Sequence, residues 1–181
     1  MAVIRVSGYP GAGKTSLCTR LAEELGYTYF YSGGIMRDMA RERGMSIEDF
    51  YCEIAANPAL EKSVDEQSER LMKQNDKLIV EGRIAPFQNA AFRKINVLLK
   101  VLPEEGARRQ SLRPENKGKS VQEIQRLTEE RVRNERKHYR ELYGIADHFD
   151  ESKFNIVLDT TNATLKETFQ TVLGRLQTIG L

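Results

Sequence analysis

Residues Gly8-Tyr9-Pro10-Gly11-Ala12-Gly13-Lys14-Thr15 constrain this chain more than any other stretch, because they fit the pattern G-x-x-x-x-G-K-[ST] at every position. The apolar run Val3-Ile4-Arg5-Val6 precedes them. A helical period follows, with Leu17, Leu21, Ala22 and Leu25 on one face and Gly26 where a left-handed cap belongs. A strand, a glycine loop and a helix in that order form a phosphate-binding loop. Glycines let the backbone wrap a polyphosphate, so that successive N–H groups and the positive end of the helix point at it. In that arrangement Gly8 to Thr15 and Ser16 bind the triphosphate, Lys14 reaches its β- and γ-phosphates, and the Thr15 hydroxyl holds Mg²⁺. The loop implies a nucleoside triphosphate and leaves its use open.

The remaining pattern alternates strands with helices. Tyr27 to Tyr31 reads as a short aromatic strand ending at Ser32-Gly33-Gly34, and Ile35, Met36, Met39 and Ala40 define a helix stopping near Gly44. Ser46-Ile47-Glu48-Asp49 resembles a capping box that opens a helix ending at Asn57-Pro58, after which Leu60, Val64 and Leu71 repeat on one face up to Asn75-Asp76. Leu78 to Glu81 and Ile95 to Val101 read as buried strands. Pro103-Glu104-Glu105 starts a helix that Arg113 to Lys119 breaks, Ser120 with Glu123 caps the next, and Phe154 to Leu158 followed by Leu165, Phe169, Val172, Leu173 and Leu176 completes the series. Five strands alternating with helices predict an α/β fold, a three-layer α/β/α arrangement on a five-stranded parallel sheet, with ligands at the carboxyl ends of the strands. Two helical excursions rise from that edge, as flaps that exclude water would.

Length suits one domain: 181 residues with 40% apolar and 30% charged residues. A net charge of +2 speaks against nucleic acid as the main partner. No signal-peptide pattern and no apolar run of membrane-spanning length are present, so a cytoplasmic protein without membrane contact is expected. Cys18 and Cys52 have no metal-ligand or C-x-x-C spacing and read as packing residues.

Three polar elements are carried toward the same sheet edge: Ser32 with Arg37, Glu81-Gly82-Arg83 at a strand end, and the basic helix around Arg126 to Arg140. On that helix Arg126, Arg133, Arg136, Lys137 and Arg140 share one broad face, which reads as solvated. Arg131 points away from them and shares its side with Glu135 one turn on.

With these residues in order, the chain resembles the cytidylate kinases, most closely their short archaeal-type members. The resemblance is carried by the phosphate loop, Ser32 to Arg37, Glu81-Gly82-Arg83, Pro103-Glu104-Glu105, Arg131 to Tyr139, Tyr143-Gly144-Ile145 and Leu158-Asp159-Thr160. It implies one nucleoside monophosphate kinase domain over 1–181, with a core of 1–31, 76–103 and 144–181, an acceptor-binding insertion at 32–75 and a lid at 104–143. The implied reaction is transfer of the γ-phosphoryl of ATP to CMP or dCMP, with Mg²⁺ as cofactor and small nucleotides as partners of a monomer.

The resemblance also implies roles. Ser32, Arg37 and Arg83 hold the acceptor nucleotide, Arg131 lies at the phosphoryl groups, and Glu135 lies at the cytosine edge, where a carboxylate suits the exocyclic amino donor. Arg109 and Arg113 resemble lid arginines, either of which could close over ATP; Arg109 with Thr161 is assigned to ATP, and Arg113 with Lys14 and Arg131 to catalysis. Glu81 orients a metal-bound water. The Thr160 to Thr164 loop resembles the one passing under adenine, and Asn162 reads as a helix cap. The chain departs from the family at His138, where a second arginine is usual, at Gly33-Gly34, at Ile84-Ala85-Pro86-Phe87, which lacks a tryptophan, and at Ala146, with Asp147 adjacent. Two other readings stand beside this one. The first is another small P-loop kinase, acting on AMP or on a hydroxyl-bearing metabolite. The second is a nucleotide-dependent switch or assembly factor.

Overall fold

A computed structural model describes residues 1–56 and 59–181. Its five strands are β1 (Ala2–Gly8), β2 (Thr28–Tyr31), β3 (Lys77–Glu81), β4 (Lys94–Lys100) and β5 (Ile156–Asp159), all parallel in the order β2-β3-β1-β4-β5. The helices are α1 (Lys14–Leu25), α2 (Ser32–Glu42), α3 (Ile47–Ala56), α4 (Ala59–Gln74), α5 (Pro103–Ser111), α6 (Val121–Tyr143) and α7 (Leu165–Thr178). The expected helix end at Asn57-Pro58 lies outside the described residues, as does the Cys52 side chain. Cys18 is buried as a free thiol. Among the described residues no helix is long and apolar enough to cross a membrane.

Strand β1 is buried at every residue because both sheet faces are covered. Ile4 and Val6 pack with Leu17 and Leu21 of α1 and with Phe169, Val172 and Leu176 of α7. Val3 points the other way, into a second cluster with Phe30, Leu78, Val80 and Met72 of α4. A third cluster, Met36, Ala40, Phe50, Ile54 and Val64, gives the α2–α4 insertion a core of its own. Register then assembles the functional edge: Val6 and Tyr31 both lie opposite Glu81, and Gly8 opposite Leu99.

Three local expectations change and one holds in part. Helix α2 begins at Ser32 rather than Ile35, so Gly33 and Gly34 form its first turn. A Cβ on either would stand 2.9 or 2.7 Å from the Tyr31 ring, so these glycines let that ring lie against the turn. The cap of α7 is Thr164, not Asn162. Its hydroxyl accepts from the Glu167 N–H while the Glu167 carboxylate accepts from the Thr164 N–H, a reciprocal pair that Asn162 cannot make. Ser120 accepts from the Glu123 N–H and so supplies the serine half of the expected box. Arg5, read as part of an apolar run, is buried at 4% exposure and held by Asn96 Oδ1 and the Gln88 carbonyl, both at 2.7 Å. Burial lowers its pKa to about 10.

Candidate active site

The loop between β1 and α1 is shaped by close backbone approaches. Gly8 has φ 152°, and a Cβ there would meet the Leu99 carbonyl at 2.2 Å. Gly11 has φ 81°, and its Cβ would meet the Gly106 carbonyl at 2.4 Å. The second contact presses α5 directly onto the loop. Lys14 Nζ donates to the Gly8 and Tyr9 carbonyls, both at 2.9 Å. Burial, and next the neighbouring Arg83 cation, lower its pKa to about 7.

Thr15 Oγ1 donates to Glu81 Oε1 at 3.1 Å, and the Tyr29 hydroxyl donates to Glu81 Oε2. This hydroxyl and carboxylate at one strand end are oxygen donors suited to Mg²⁺, an ion that takes most of its shell from water and substrate phosphates. Among the described residues no group of three or more His, Cys, Asp and Glu could hold a metal by itself. The donor set therefore fits a metal brought in with phosphates.

One cavity at this edge is lined by the loop, Lys14, Ser32, Met36, Glu81, Ile84 and Ala85, and by four arginines, Arg37, Arg83, Arg113 and Arg131. These four come from α2, from the turn after β3, from the α5–α6 connection and from α6. Arg83 Nε donates to Glu135 Oε2 at 2.9 Å and Arg131 Nε to Glu135 Oε1 at 2.8 Å, while Arg83 Nη1 reaches the Gly8 carbonyl. Burial alone would raise the Glu135 pKa, but Arg83, Arg131 and His148 outweigh it and hold the carboxylate at about 2. Arg37 donates to the Tyr31 hydroxyl. Burial, followed by the Arg37 charge, lowers the Arg113 pKa. Ser32 Oγ donates to the Glu81 carbonyl at 3.0 Å and so ties α2 to β3.

Every residue expected at the site falls at this edge, though not always as expected. Each oxygen of Glu135 accepts from a guanidinium group, so the carboxylate bridges Arg83 and Arg131. Arg109 and Arg113 separate, with Arg113 lining the cavity and Arg109 turned to the Thr160 and Thr161 carbonyls at 2.6 and 3.1 Å. Thr161 Oγ1 accepts from the Leu102 N–H at 2.9 Å, on a shallow depression shared with Asp159 and Asn162. Neither Arg136 nor Arg140, the arginines that flank His138 on α6, joins the four. Arg136 pairs with Asp147 at 3.3 Å, and Arg140 Nη2 lies 3.4 Å from the Ala146 carbonyl.

Sequence reasoning missed three features. Gly106 abuts the loop, and its signal was a glycine inside a helical stretch. His148 is fully buried with its Nε2 3.7 Å from Glu135 Oε2, and neither ring nitrogen has a hydrogen-bond partner among the described residues. Burial, and after it the Arg83 charge, lower its pKa to about 4, so it is neutral at pH 7. Asp65, Ser68 and Gln88 also line the cavity, and no motif marks them.

A family described as an AAA domain matches residues 4–138. A cytidylate kinase of Methanopyrus kandleri is 36% identical over 176 residues, covering 92% of this chain and 89% of the relative. Cytidylate kinases of Pyrobaculum aerophilum and Pyrococcus furiosus are 35% and 36% identical, covering 92% and 88% of this chain and 88% and 80% of their own. Among solved structures, a shikimate kinase from Bacteroides thetaiotaomicron superposes with a TM-score of 0.61 at 15% identity, covering 97% of this chain and 98% of its own. A second, from Acinetobacter baumannii in complex with shikimate, does so at 0.59 and 19%, covering 100% and 96%. At such identities these two show a shared fold and nothing about substrate.

Proposed function

Because this chain belongs to the cytidylate kinase family, we propose that it transfers the γ-phosphoryl group of ATP to CMP or dCMP, yielding the two diphosphates. The observation that carries this reading is the convergence of Arg37, Arg83, Arg113 and Arg131 on the cavity that also holds Lys14. Five cationic side chains in one cavity suit two phosphate-bearing ligands brought together.

Donor and acceptor roles follow from position. The loop amides and Lys14 hold the β- and γ-phosphates, and Arg109 with the Thr160–Thr161 turn borders the adenosine. Ser32, Arg37 and Arg83 hold the acceptor phosphate in line with the γ-phosphoryl. The acceptor oxygen is already a nucleophile, so no general base is required. Arg131 and Arg113 meet the charge that spreads over the transferred group, where preorganised cations are most effective. Glu135 keeps Arg83 and Arg131 at a fixed separation before substrate arrives. Thr15 and, through water, Glu81 would hold Mg²⁺, which neutralises charge on the donor phosphates when bound. On this assignment residues 32–75 form the acceptor-binding insertion and 104–143 the lid.

A coupled ADP-release assay over a panel of nucleoside monophosphates, with a control lacking acceptor, tests this proposal. Turnover stimulated by CMP and dCMP well above AMP and UMP is expected. ATP hydrolysis indifferent to every acceptor would overturn it, and preference for AMP would make the enzyme a kinase of another acceptor.

A further inference from the structure

Two groups converge on one oxygen of Glu135. Arg83 Nε donates to Oε2 at 2.9 Å, and His148 Nε2 stands 3.7 Å from the same atom, just beyond hydrogen-bond reach. The imidazole is fully buried, and neither nitrogen has a hydrogen-bond partner among the described residues. A neutral imidazole carries one N–H and one lone pair, and keeping both unmade away from water costs free energy that folding ordinarily avoids. Its neighbours fix the ring where it is. Phe149 packs against it with centroids 4.1 Å apart, and Tyr139 meets it nearly at right angles at 5.2 Å. Phe149 stacks in turn on Tyr9 of the phosphate loop at 4.2 Å, and the Arg83 guanidinium carbon lies 5.5 Å from the Phe149 centroid.

Charged and titratable groups face this imidazole from each element around it. Helix α6 supplies Glu135, Arg136 and Tyr139, the turn after β3 supplies Arg83, and Asp147, paired with Arg136, precedes it in the chain. Burial and the Arg83 charge keep the ring neutral, while Glu135 and Asp147 pull toward the charged form. The balance therefore depends on where Arg83 is engaged. Phosphate oxygens compete with Glu135 Oε2 for the same guanidinium N–H groups. Once Arg83 turns to a phosphate, Oε2 becomes a buried carboxylate oxygen that has lost its donor, with an unpartnered ring nitrogen beside it.

Resting on the cytidylate kinase reading above, which puts an acceptor phosphate on Arg83, we infer that His148 is a positioning residue that takes over Glu135 Oε2 when that phosphate draws Arg83 away, gaining a proton from solvent as it does so. His148 Nε2–H then donates to Oε2 while Arg131 keeps Oε1. Glu135 stays ionised and Arg131 keeps its anchor as the neighbouring cation leaves. The acceptor phosphate gains Arg83 without leaving a buried anion half-paired. Acceptor binding is thereby linked to uptake of a proton.

Proton NMR of the full wild-type chain tests the inference directly. The chain has two histidines, and His138→Gln assigns their ring C–H signals. Saturating CMP is expected to move the His148 midpoint upward from about 4 toward the ordinary value of 6.5, and a midpoint that does not rise overturns the inference. Calorimetry near pH 6 in two buffers of different ionisation enthalpy reads the linked proton. With a bound midpoint at 6.5, wild type takes up about 0.7 of a proton more per CMP than His148→Gln, which offers a neutral N–H and cannot titrate. The titration of CMP itself is common to both and cancels. On the same grounds the KM for CMP, divided by that of His148→Gln, rises about fourfold from pH 6 to 7.5, and the KM for ATP shows no such difference. His148→Leu, with no donor, has a higher KM for CMP than His148→Gln. A packing role alone would leave proton uptake and pH profile alike in all three, and equal uptake in wild type and folded His148→Gln overturns the inference. CMP-stimulated ADP release by wild type then leaves the kinase reading standing, whereas its absence overturns both.

Discussion

Arg83, in the turn after β3, donates through Nε to Glu135 Oε2 of α6 at 2.9 Å, a largely buried pair that joins the end of a core strand to the long helix 52 residues later. Arg131 occupies the other oxygen of the same carboxylate at 2.8 Å. Two guanidinium groups that would otherwise repel each other are thus held ready on one anion. Removing that anion should unfasten both. Glu135→Gln is expected to lower stability by about 1 to 2 kcal/mol, because two partly buried cations lose their shared counter-charge, and to reduce kcat. Denaturant unfolding with steady-state kinetics checks it, and unchanged stability would contradict the clamp.

Arg131→Ala should lower kcat by about 10³-fold, the low end of what an arginine contributes to phosphoryl transfer. Nucleotide binding measured by calorimetry should persist, since the loop and Lys14 are untouched. Near-normal turnover would show that the cavity arginines do not act on the transferred group.

The Lys14 pKa of about 7 sets a pH dependence for donor binding. In the free protein half of Lys14 is neutral at that pH, and a bound polyphosphate favours the charged form. Affinity should therefore be greatest below pH 7 and weaken as pH rises above it, with proton uptake on binding near neutrality. Calorimetry in two buffers of different ionisation enthalpy reads that uptake. Lys14→Arg, charged throughout, should abolish it apart from the nucleotide's own titration.

His148 titrates in another window. Its folded pKa of about 4 lies below the ordinary histidine value of 6.5, so the unfolded chain binds the extra proton first. Stability should fall as pH drops from 6.5 to 4, by about 3 kcal/mol at 1.36 kcal/mol per unit. His148→Leu should lack that slope. The Glu135 contribution is separate, being lost only as pH falls from 4.5 through about 2.

Gly11→Ala should destabilise the fold by about 2 kcal/mol or more, because the residue needs a left-handed φ and its Cβ would press on α5 at Gly106. Weakened donor binding should accompany the loss, since the same contact shapes the loop. Thermal unfolding with and without ADP separates the two effects.

Much of the fold was legible because its signals are local. Val3 to Val6, the glycine spacing, the period of α1 and the Pro103 start each depend on neighbours within a turn or two. Errors arose where a tertiary neighbour outweighed the local signal. Gly33 and Gly34 looked like a break until the Tyr31 ring occupied the space their side chains would take. Arg5 read as part of an apolar run, whereas its burial depends on Asn96 and Gln88 satisfying it. Asn162 lost the cap to Thr164, whose partner Glu167 stands at the reciprocal spacing.

Sequence alone determined the donor half of the site, because a phosphate loop is one continuous segment whose backbone makes the binding surface. It also named Arg37, Arg83 and Arg131, through a pattern of residues in order. Only the tertiary structure decided what those cations face. That depends on the strand register, which sets Tyr31 and Val6 opposite Glu81, and on the rotation of α6, which brings Glu135 between two arginines. The same is true of Asp65, Ser68 and Gln88, whose hydrogen bonds join α4, the turn after β3 and Tyr143 only after the chain has closed on itself.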